Sequence, residues 1–439
     1  MKIIRLILLL LLPIICNAQS YFQNINFEQA LKKARKTDKI VMVRLESEEC
    51  IQCNVAAEEG LNGAGVQEVA ERYTIALSLN PESSEWKDLS KKHLIKYGIL
   101  FFNDAGNLLH KYPASTTFAE TYINEIKKAI AKEKVFKEHK ELENRYKKEE
   151  PTLGITKELI QKKMELGISH DSLVGIYLSL LMPQELYTEQ TVAFLISTAP
   201  LLSSTPDSIM RKDSAVFNSC WRKLPLQERI RINQNIIYKT RNKAITTKNF
   251  LLAQRVASFT ASTYAPDRNA GRKGWYKQMI YYYAGINDTL NLDSYCKTFS
   301  NFYFLQVSKD SLERIDSIDR NEKMKNAESN MGVRTIRFTK STNSLGNEID
   351  EIANIYLRFF NDSLKINFAL QLTDKAIELF DSPSYFETRA SLFMKLNNKE
   401  AAIGALEKAI ASLKQKGLNP KAVQQKLNNL KQNAKSINE

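Results

Sequence analysis

Lys39-Ile40-Val41-Met42-Val43-Arg44-Leu45-Glu46-Ser47-Glu48-Glu49-Cys50-Ile51-Gln52-Cys53 decides how this chain is read. Ile40 to Leu45 is a short apolar run rich in β-branched residues, the pattern of a buried central strand. Two cysteines separated by two residues follow at the strand-to-helix junction. Cysteines so spaced can close one disulfide. The first turn of a helix leaves N–H groups unpaired and favours negative charge, so a thiolate is stabilised there. This is the one constellation in the chain suited to covalent chemistry.

Upstream, Lys2 and Arg5 precede the apolar stretch Leu6 to Ile15, and Cys16-Asn17-Ala18 resembles a small-x-small cleavage site. The reading is an export signal over residues 1–18, cut after Ala18. Its apolar run is too short to span a bilayer in the mature protein, and no second candidate follows. Ile15 is bulky where lipoprotein signals need a small residue, which argues against a lipid anchor at Cys16. The expected location is therefore the periplasm or cell envelope, where a cysteine pair reads as a redox site.

At 439 residues the chain is long enough for two to four domains, and only 15 glycines and 11 prolines favour a mostly helical product. The formal net charge is +14, or +12 without Lys2 and Arg5. Charge runs such as Lys137-Glu138-His139-Lys140-Glu141 place lysines beside glutamates, so the basic balance reads as solvated helix faces with a weak attraction to anionic surfaces. No nucleic-acid partner is expected. Cys220 and Cys296 sit in apolar, helical surroundings. Buried free thiols and a second disulfide are both open for them.

Residues 19–134 alternate helix and strand. Asn26 with Gln29 makes a capping box before a helix carrying Phe27, Ala30, Leu31 and Ala34 on one face. After Cys53 a helix is interrupted by Gly60, Asn62, Gly63 and Gly65 and resumes from Val66 to Tyr73. Thr74 to Leu79 is a second strand, and Trp86 to His93 a polar helix. Ile99 to Phe102 and Leu108 to Tyr112 form a hairpin about Asn103-Asp104-Ala105-Gly106. A last helix follows Thr117, with Phe118, Tyr122, Ile126 and Ile130 on one face.

Helix, strand, CxxC, helix, strand, helix, hairpin, helix is an order that resembles the thioredoxin fold. Phe27 to about Ala131 looks like an exported thioredoxin-like domain, roughly a quarter of the chain. The resemblance implies that Cys50 attacks as nucleophile and Cys53 resolves the mixed disulfide. It also exposes departures at the site. Glu49 stands where the family usually has a tryptophan before the first cysteine, with Glu48 before it, and carboxylates there oppose thiolate formation. Arg44 occupies the place of a buried aspartate that relays protons. Tyr97, between Lys96 and Gly98, takes the place of the family's cis-proline. A non-proline cis bond costs about 2.5–4 kcal/mol, so Lys96–Tyr97 is expected to be trans and the substrate groove altered.

From Lys132 to Glu150 the sequence is a charge-dense helix ending at Pro151, a spacer opening a helical domain over 135–318. Residues 319–348, within a polar stretch that starts at Ser317, read as a linker or long loop. In 349–439, Phe386, Ala390, Phe393, Ala402, Leu406 and Ala409 resemble the tetratricopeptide framework. Arg389 stands where that pattern prefers leucine. Ala369 and Ala376 repeat the spacing 33 residues earlier, while Ala353, Phe360 and Thr373 fit the pattern poorly. Pro420 to Asn433 reads as a polar capping helix.

Two functions follow as expectations. One is a cell-envelope thiol–disulfide oxidoreductase whose helical region recruits a protein client. The other is a non-catalytic interaction scaffold in which Cys50–Cys53 is a structural disulfide. The site neighbours in either case are Arg44, Glu48, Glu49, Ile51, Gln52, Lys96, Tyr97 and Gly98. No cofactor or metal is expected: there is no phosphate loop, and no second Cys or His pair at zinc spacing.

Overall fold

The computed structural model of the chain describes residues 21–47, 50–328 and 340–435. The expected export signal with Cys16, the pair Glu48 and Glu49, and the side chain of Ile51 lie outside the described residues. The chain divides into two compact units, Met1–Glu141 and Leu142–Glu439.

In the first unit, α1 (Phe27–Thr37) opens on the expected capping box. Asn26 accepts from the Gln29 N–H at 2.8 Å and Gln29 accepts from the Asn26 N–H at 3.0 Å. Then come β1 (Ile40–Leu45), α2 (Ile51–Leu61), α3 (Val66–Tyr73), β2 (Thr74–Leu79), α4 (Ser84–His93), β3 (Gly98–Phe102), β4 (Leu108–Tyr112) and α5 (Ala119–Lys148), whose residues from Leu142 on belong to the second unit. The four strands form one mixed sheet in the order β2-β1-β3-β4, with β1 parallel to β2 and antiparallel to β3, and β3 antiparallel to β4. β1 is central, as its apolar run requires.

Alternation along β1 divides the core in two. Ile40 and Met42 pack with Ile99, Phe101 and residues of α2, α3 and α5 on one face. Val41, Val43 and Leu45 pack with Leu100, Phe102 and residues of α1 and α4 on the other. The apolar face expected on the last helix is realised by Tyr122 and Ile126, both buried. Phe118 departs from it: it precedes the helix and is 72% exposed, because α5 starts one residue later.

The second unit is helical throughout its described residues. α6 (Leu153–Leu166), α7 (Asp171–Ser179), α8 (Glu189–Thr198), α9 (Thr205–Lys212) and α10 (Ser214–Lys223) surround a core that includes Leu159, Ile160, Leu195 and Ile232. α11 (Leu226–Thr246), α12 (Phe250–Ser262), α13 (Arg268–Gly285) and α14 (Thr289–Tyr303) follow, then α15 (Lys309–Glu328) and α16 (Ser341–Phe359). The polar stretch read as a loop is thus helical at both ends, and 329–339 lie outside the described residues. Part of its polarity serves a cap. The Asp316 carboxylate accepts from the Ser341 N–H at 3.0 Å and so serves the open start of α16, whose own flanking Lys340 cannot.

α17 (Ser363–Leu379), α18 (Pro383–Lys395), α19 (Lys399–Gln415) and α20 (Lys421–Lys435) complete the chain. α16 packs on α17 and α18 on α19 as successive helical hairpins. The 33-residue offset noted in the sequence extends further than the alanines. Ala353, Phe360, Ala369, Thr373 and Ala376 are all buried in the first hairpin. Phe386, Phe393, Ala402, Leu406 and Ala409 pack together in the second. Thr373 fits because its hydroxyl donates to the Leu370 carbonyl at 2.8 Å, which removes the cost of burying it. Arg389, out of pattern, is paired with Asp374 and lies over the Phe393 ring.

The two hairpins meet at Tyr385, which is fully buried and donates to Asn347 Oδ1 at 2.8 Å. Gly346 is the floor under that ring: a Cβ there would lie 2.7 Å from Tyr385 Oη and 3.1 Å from the ring. Gly346→Ala should therefore destabilise the second unit by about 1–3 kcal/mol, because the enclosed ring has no room to retreat. Denaturant unfolding followed by the far-UV signal checks this; an unchanged midpoint would contradict the packing described.

Candidate functional site

Cys50 is the N-cap of α2. Its Sγ accepts from the Cys53 N–H at 3.2 Å, and its carbonyl from the N–H groups of Cys53 and Asn54 at 3.1 and 3.3 Å. Cys50 and Cys53 are joined in a disulfide, with Cα atoms 5.2 Å apart. Both residues are half-buried, and Gln52 between them is exposed. No acidic side chain lies in the first turn of α2 itself.

The approach to Cys50 is held by side chains that the sequence reading did not single out. Ser47 is buried; its N–H donates to Asn54 Oδ1 at 2.7 Å, and Asn54 Nδ2 donates back to the Ser47 carbonyl at 2.9 Å. The Cys50 N–H donates to Ser47 Oγ at 3.0 Å. One residue earlier, the Glu46 N–H donates to the Leu79 carbonyl at 3.0 Å, and the Glu46 carbonyl accepts from Trp86 Nε1 at 2.9 Å. A Ser and an Asn seven residues apart carry no recognisable spacing, so only the folded loop reveals the clamp.

Arg44 is half-buried on the β1 face that packs against α2, and its Nη2 donates to the Asn54 carbonyl at 3.2 Å. A cation therefore sits beside the first turn of α2. It has no acceptor atom and cannot take a proton from either thiol. Burial raises the hydroxyl pKa of Tyr122 on the same side of the sheet, with nearby Arg44 acting in the opposite direction.

The register of β1 on β3 places Gly98 opposite Leu45, so the start of β3 borders the sheet edge from which the cysteine loop leaves. The Lys96–Tyr97 bond is trans. Lys96 is exposed and Tyr97 half-buried. Gly98 has φ +121, and a Cβ on it would lie 2.1 Å from the Tyr112 carbonyl oxygen, so only glycine fits.

The two histidines near the hairpin have packing roles. His93 lies edge-on to Phe102 at 5.3 Å, and burial lowers its pKa. His110 contacts buried Glu125, which also pairs with Lys128 at 2.6 Å. Burial raises the Glu125 pKa, but the bonds from His110 and Lys128 outweigh it and hold the carboxyl below its usual range. Cys220 and Cys296 are buried free thiols, and burial raises the pKa of both. Among the described residues no group of three His, Cys, Asp or Glu side chains is arranged to hold a metal. Nor, among the described residues, is any helix long and apolar enough to cross a membrane. Compared with known proteins, the sequence matches no family model and no curated protein.

Two expectations follow. Asn54→Ala breaks both halves of the Ser47 clamp and leaves buried groups unpaired, so it should cost about 1–3 kcal/mol and speed reduction of the disulfide by dithiothreitol. Equal reduction rates in variant and wild type would contradict the clamp. For Glu125 the sign is that of a depressed carboxyl: its stabilisation is present at neutral pH and lost as pH falls through the folded pKa. Glu125→Gln should therefore flatten the stability–pH curve from about pH 5 down to pH 3, measured by urea unfolding at each pH.

Proposed function

We propose that the first unit is a thioredoxin-like thiol–disulfide exchange domain of an exported protein, and that the helical unit, with tetratricopeptide-like hairpins at its end, recruits the protein it acts on. The observation that carries this is the Cys50–Cys53 disulfide at the start of α2, half-buried and set beside the end of the central strand. The arrangement of helices on both faces of the β2-β1-β3-β4 sheet agrees with that assignment.

In the reduced protein the Cys50 thiolate attacks one sulfur of a client disulfide. A new S–S bond forms between Cys50 and the client, the client's own S–S bond breaks, and its second sulfur leaves as thiolate. Cys53 Sγ then attacks Cys50 Sγ, closes the intramolecular disulfide and releases the client's first thiol. Two electrons pass from the site to the client. The helix start and the Arg44 cation both favour the thiolate that begins the sequence.

A second reading, a binding scaffold with a structural disulfide, is favoured by the trans Lys96–Tyr97 bond and by the Ser47–Asn54 clamp, which stiffens the loop. Insulin reduction with dithiothreitol as electron donor separates the two. The wild type should accelerate precipitation of the insulin B chain, Cys50→Ser should abolish the acceleration, and Cys53→Ser should accumulate mixed disulfides at Cys50. If wild type and Cys50→Ser perform alike, the scaffold reading stands.

A further inference from the structure

The positive charge of this chain is concentrated in one place. Between Arg222 and Lys277 there are thirteen lysines and arginines against two acids, Glu228 and Asp267. That window carries +11 of the chain's +14, and the rest is close to neutral. It spans the end of α10 and the consecutively packed helices α11, α12 and α13. Some of the charge is answered locally: Lys223 pairs with Glu189, Arg231 with Glu228, Lys239 with Asp171, and Lys273 and Lys277 with Glu348. Arg222, Lys243, Lys248, Arg255, Arg268 and Arg272 are exposed, and none of these six is in an ion pair among the described residues.

Within this basic region α11 has two apolar stripes. Ile232, Ile236, Thr240 and Ala244 form the inner one and are buried. Leu226, Ile230 and Tyr238 form a second that faces outward, at 61%, 40% and 59% exposure. Beside it a groove of about 430 Å³ opens between α11, the end of α12 and α13. Its walls are Ile230, Ile237, Tyr238 and Tyr264, and its polar side chains are uncharged (Asn233, Gln234, Gln278, Thr260 and Thr263) apart from one cation, Arg241. The Arg241 guanidinium is held in place by the rings of Tyr238 and Tyr281, 5.7 and 5.0 Å from their centroids.

We infer that the α11–α13 groove is a docking surface for an acidic polypeptide segment carrying an aromatic or aliphatic anchor. The reasons are complementary. Long-range attraction from the net positive charge of α11, α12 and α13, with Arg241 in the groove itself, selects a negative partner and speeds its arrival. Side chains of the Tyr and Arg type, half-exposed around a concavity, are those that carry binding energy once water is excluded. Amide side chains can pair with a peptide backbone, donating to its carbonyls and accepting from its N–H groups. A nucleic acid would meet the charge but would leave the apolar wall of Ile230 and Ile237 without a partner. The inference rests on the reading of the helical unit as the recruiting element and is independent of the thiol chemistry.

The test uses the full chain with Cys50→Ser and Cys53→Ser, so that no mixed disulfide contributes. The probe is a labelled random copolymer of glutamate and tyrosine in a 4:1 ratio, compared with pure polyglutamate and a 20-nucleotide single-stranded DNA by fluorescence anisotropy at 50 and 200 mM salt. The copolymer should bind at least tenfold more tightly than polyglutamate, and its binding should weaken at the higher salt. Tyr238→Ser, at an exposed position, should remove most of the copolymer's advantage while leaving polyglutamate binding unchanged. Arg241→Gln should weaken copolymer binding about tenfold, with thermal melts confirming that both variants are folded. Equal binding of copolymer and polyglutamate, tighter binding of the DNA, or no binding at all would overturn the proposal. None of these outcomes bears on insulin reduction, so the two readings fail separately.

Discussion

Burial of β1 on both faces is the constraint from which the first unit follows. Val41, Val43 and Leu45 serve one core while Ile40 and Met42 serve the other. A one-residue slip would exchange the two sets and drive Arg44 into the core formed with α1 and α4. Register along β1 is therefore fixed, and with it the point at which the chain leaves the sheet. Glu46 and Ser47 are then tied to Leu79, Trp86 and Asn54, so Cys50 arrives at the start of α2 in one orientation. The position of the sulfurs is a consequence of strand packing several residues away.

Arg44 is where the apolar run stops being purely structural. An apolar residue would pack as well on that face, yet a guanidinium reaches the carbonyl of Asn54. The same Asn54 holds Ser47 from its side chain, so one residue of α2 joins the strand, the loop and the helix. A buried carboxylate at position 44 would exchange protons with a thiol, whereas an arginine biases the charge without taking part in the transfer. The trans bond at Tyr97 and the enclosed Gly98 give the opposite wall its own shape.

The helical unit achieves its packing by a different rule. Its hairpins approach closely where small residues face large ones: Gly346 under Tyr385, Gly285 against Ile245, and alanines every seven residues along α17 and α19. Two of the polar residues in the core bring a partner with them, Thr373 bonding the Leu370 carbonyl and Tyr356 the Asp293 carboxylate. This explains how a repeat with few pattern residues keeps its shape, and why the earlier hairpin looked degenerate when judged by residue type alone.

Strand boundaries, the capping box, the CxxC at a helix start and the 33-residue offset were all legible in the sequence, because each depends on neighbours a few residues apart or on a fixed period. The strands β1, β2 and β4 span the residues expected of them. Other features depended on contacts between distant segments. The Ser47–Asn54 clamp, the Asp316 cap on α16 and the state of Cys220 and Cys296 are tertiary facts with no local signature. The helical ends of the 317–348 stretch were missed because a polar run reads as loop until its packed residues, here Thr342 and Gly346 of α16, are known. The basic window was present in composition but averaged away along the chain. Only the packing of the consecutive helices α11, α12 and α13 shows that the window also holds a groove, with Arg241 in its lining.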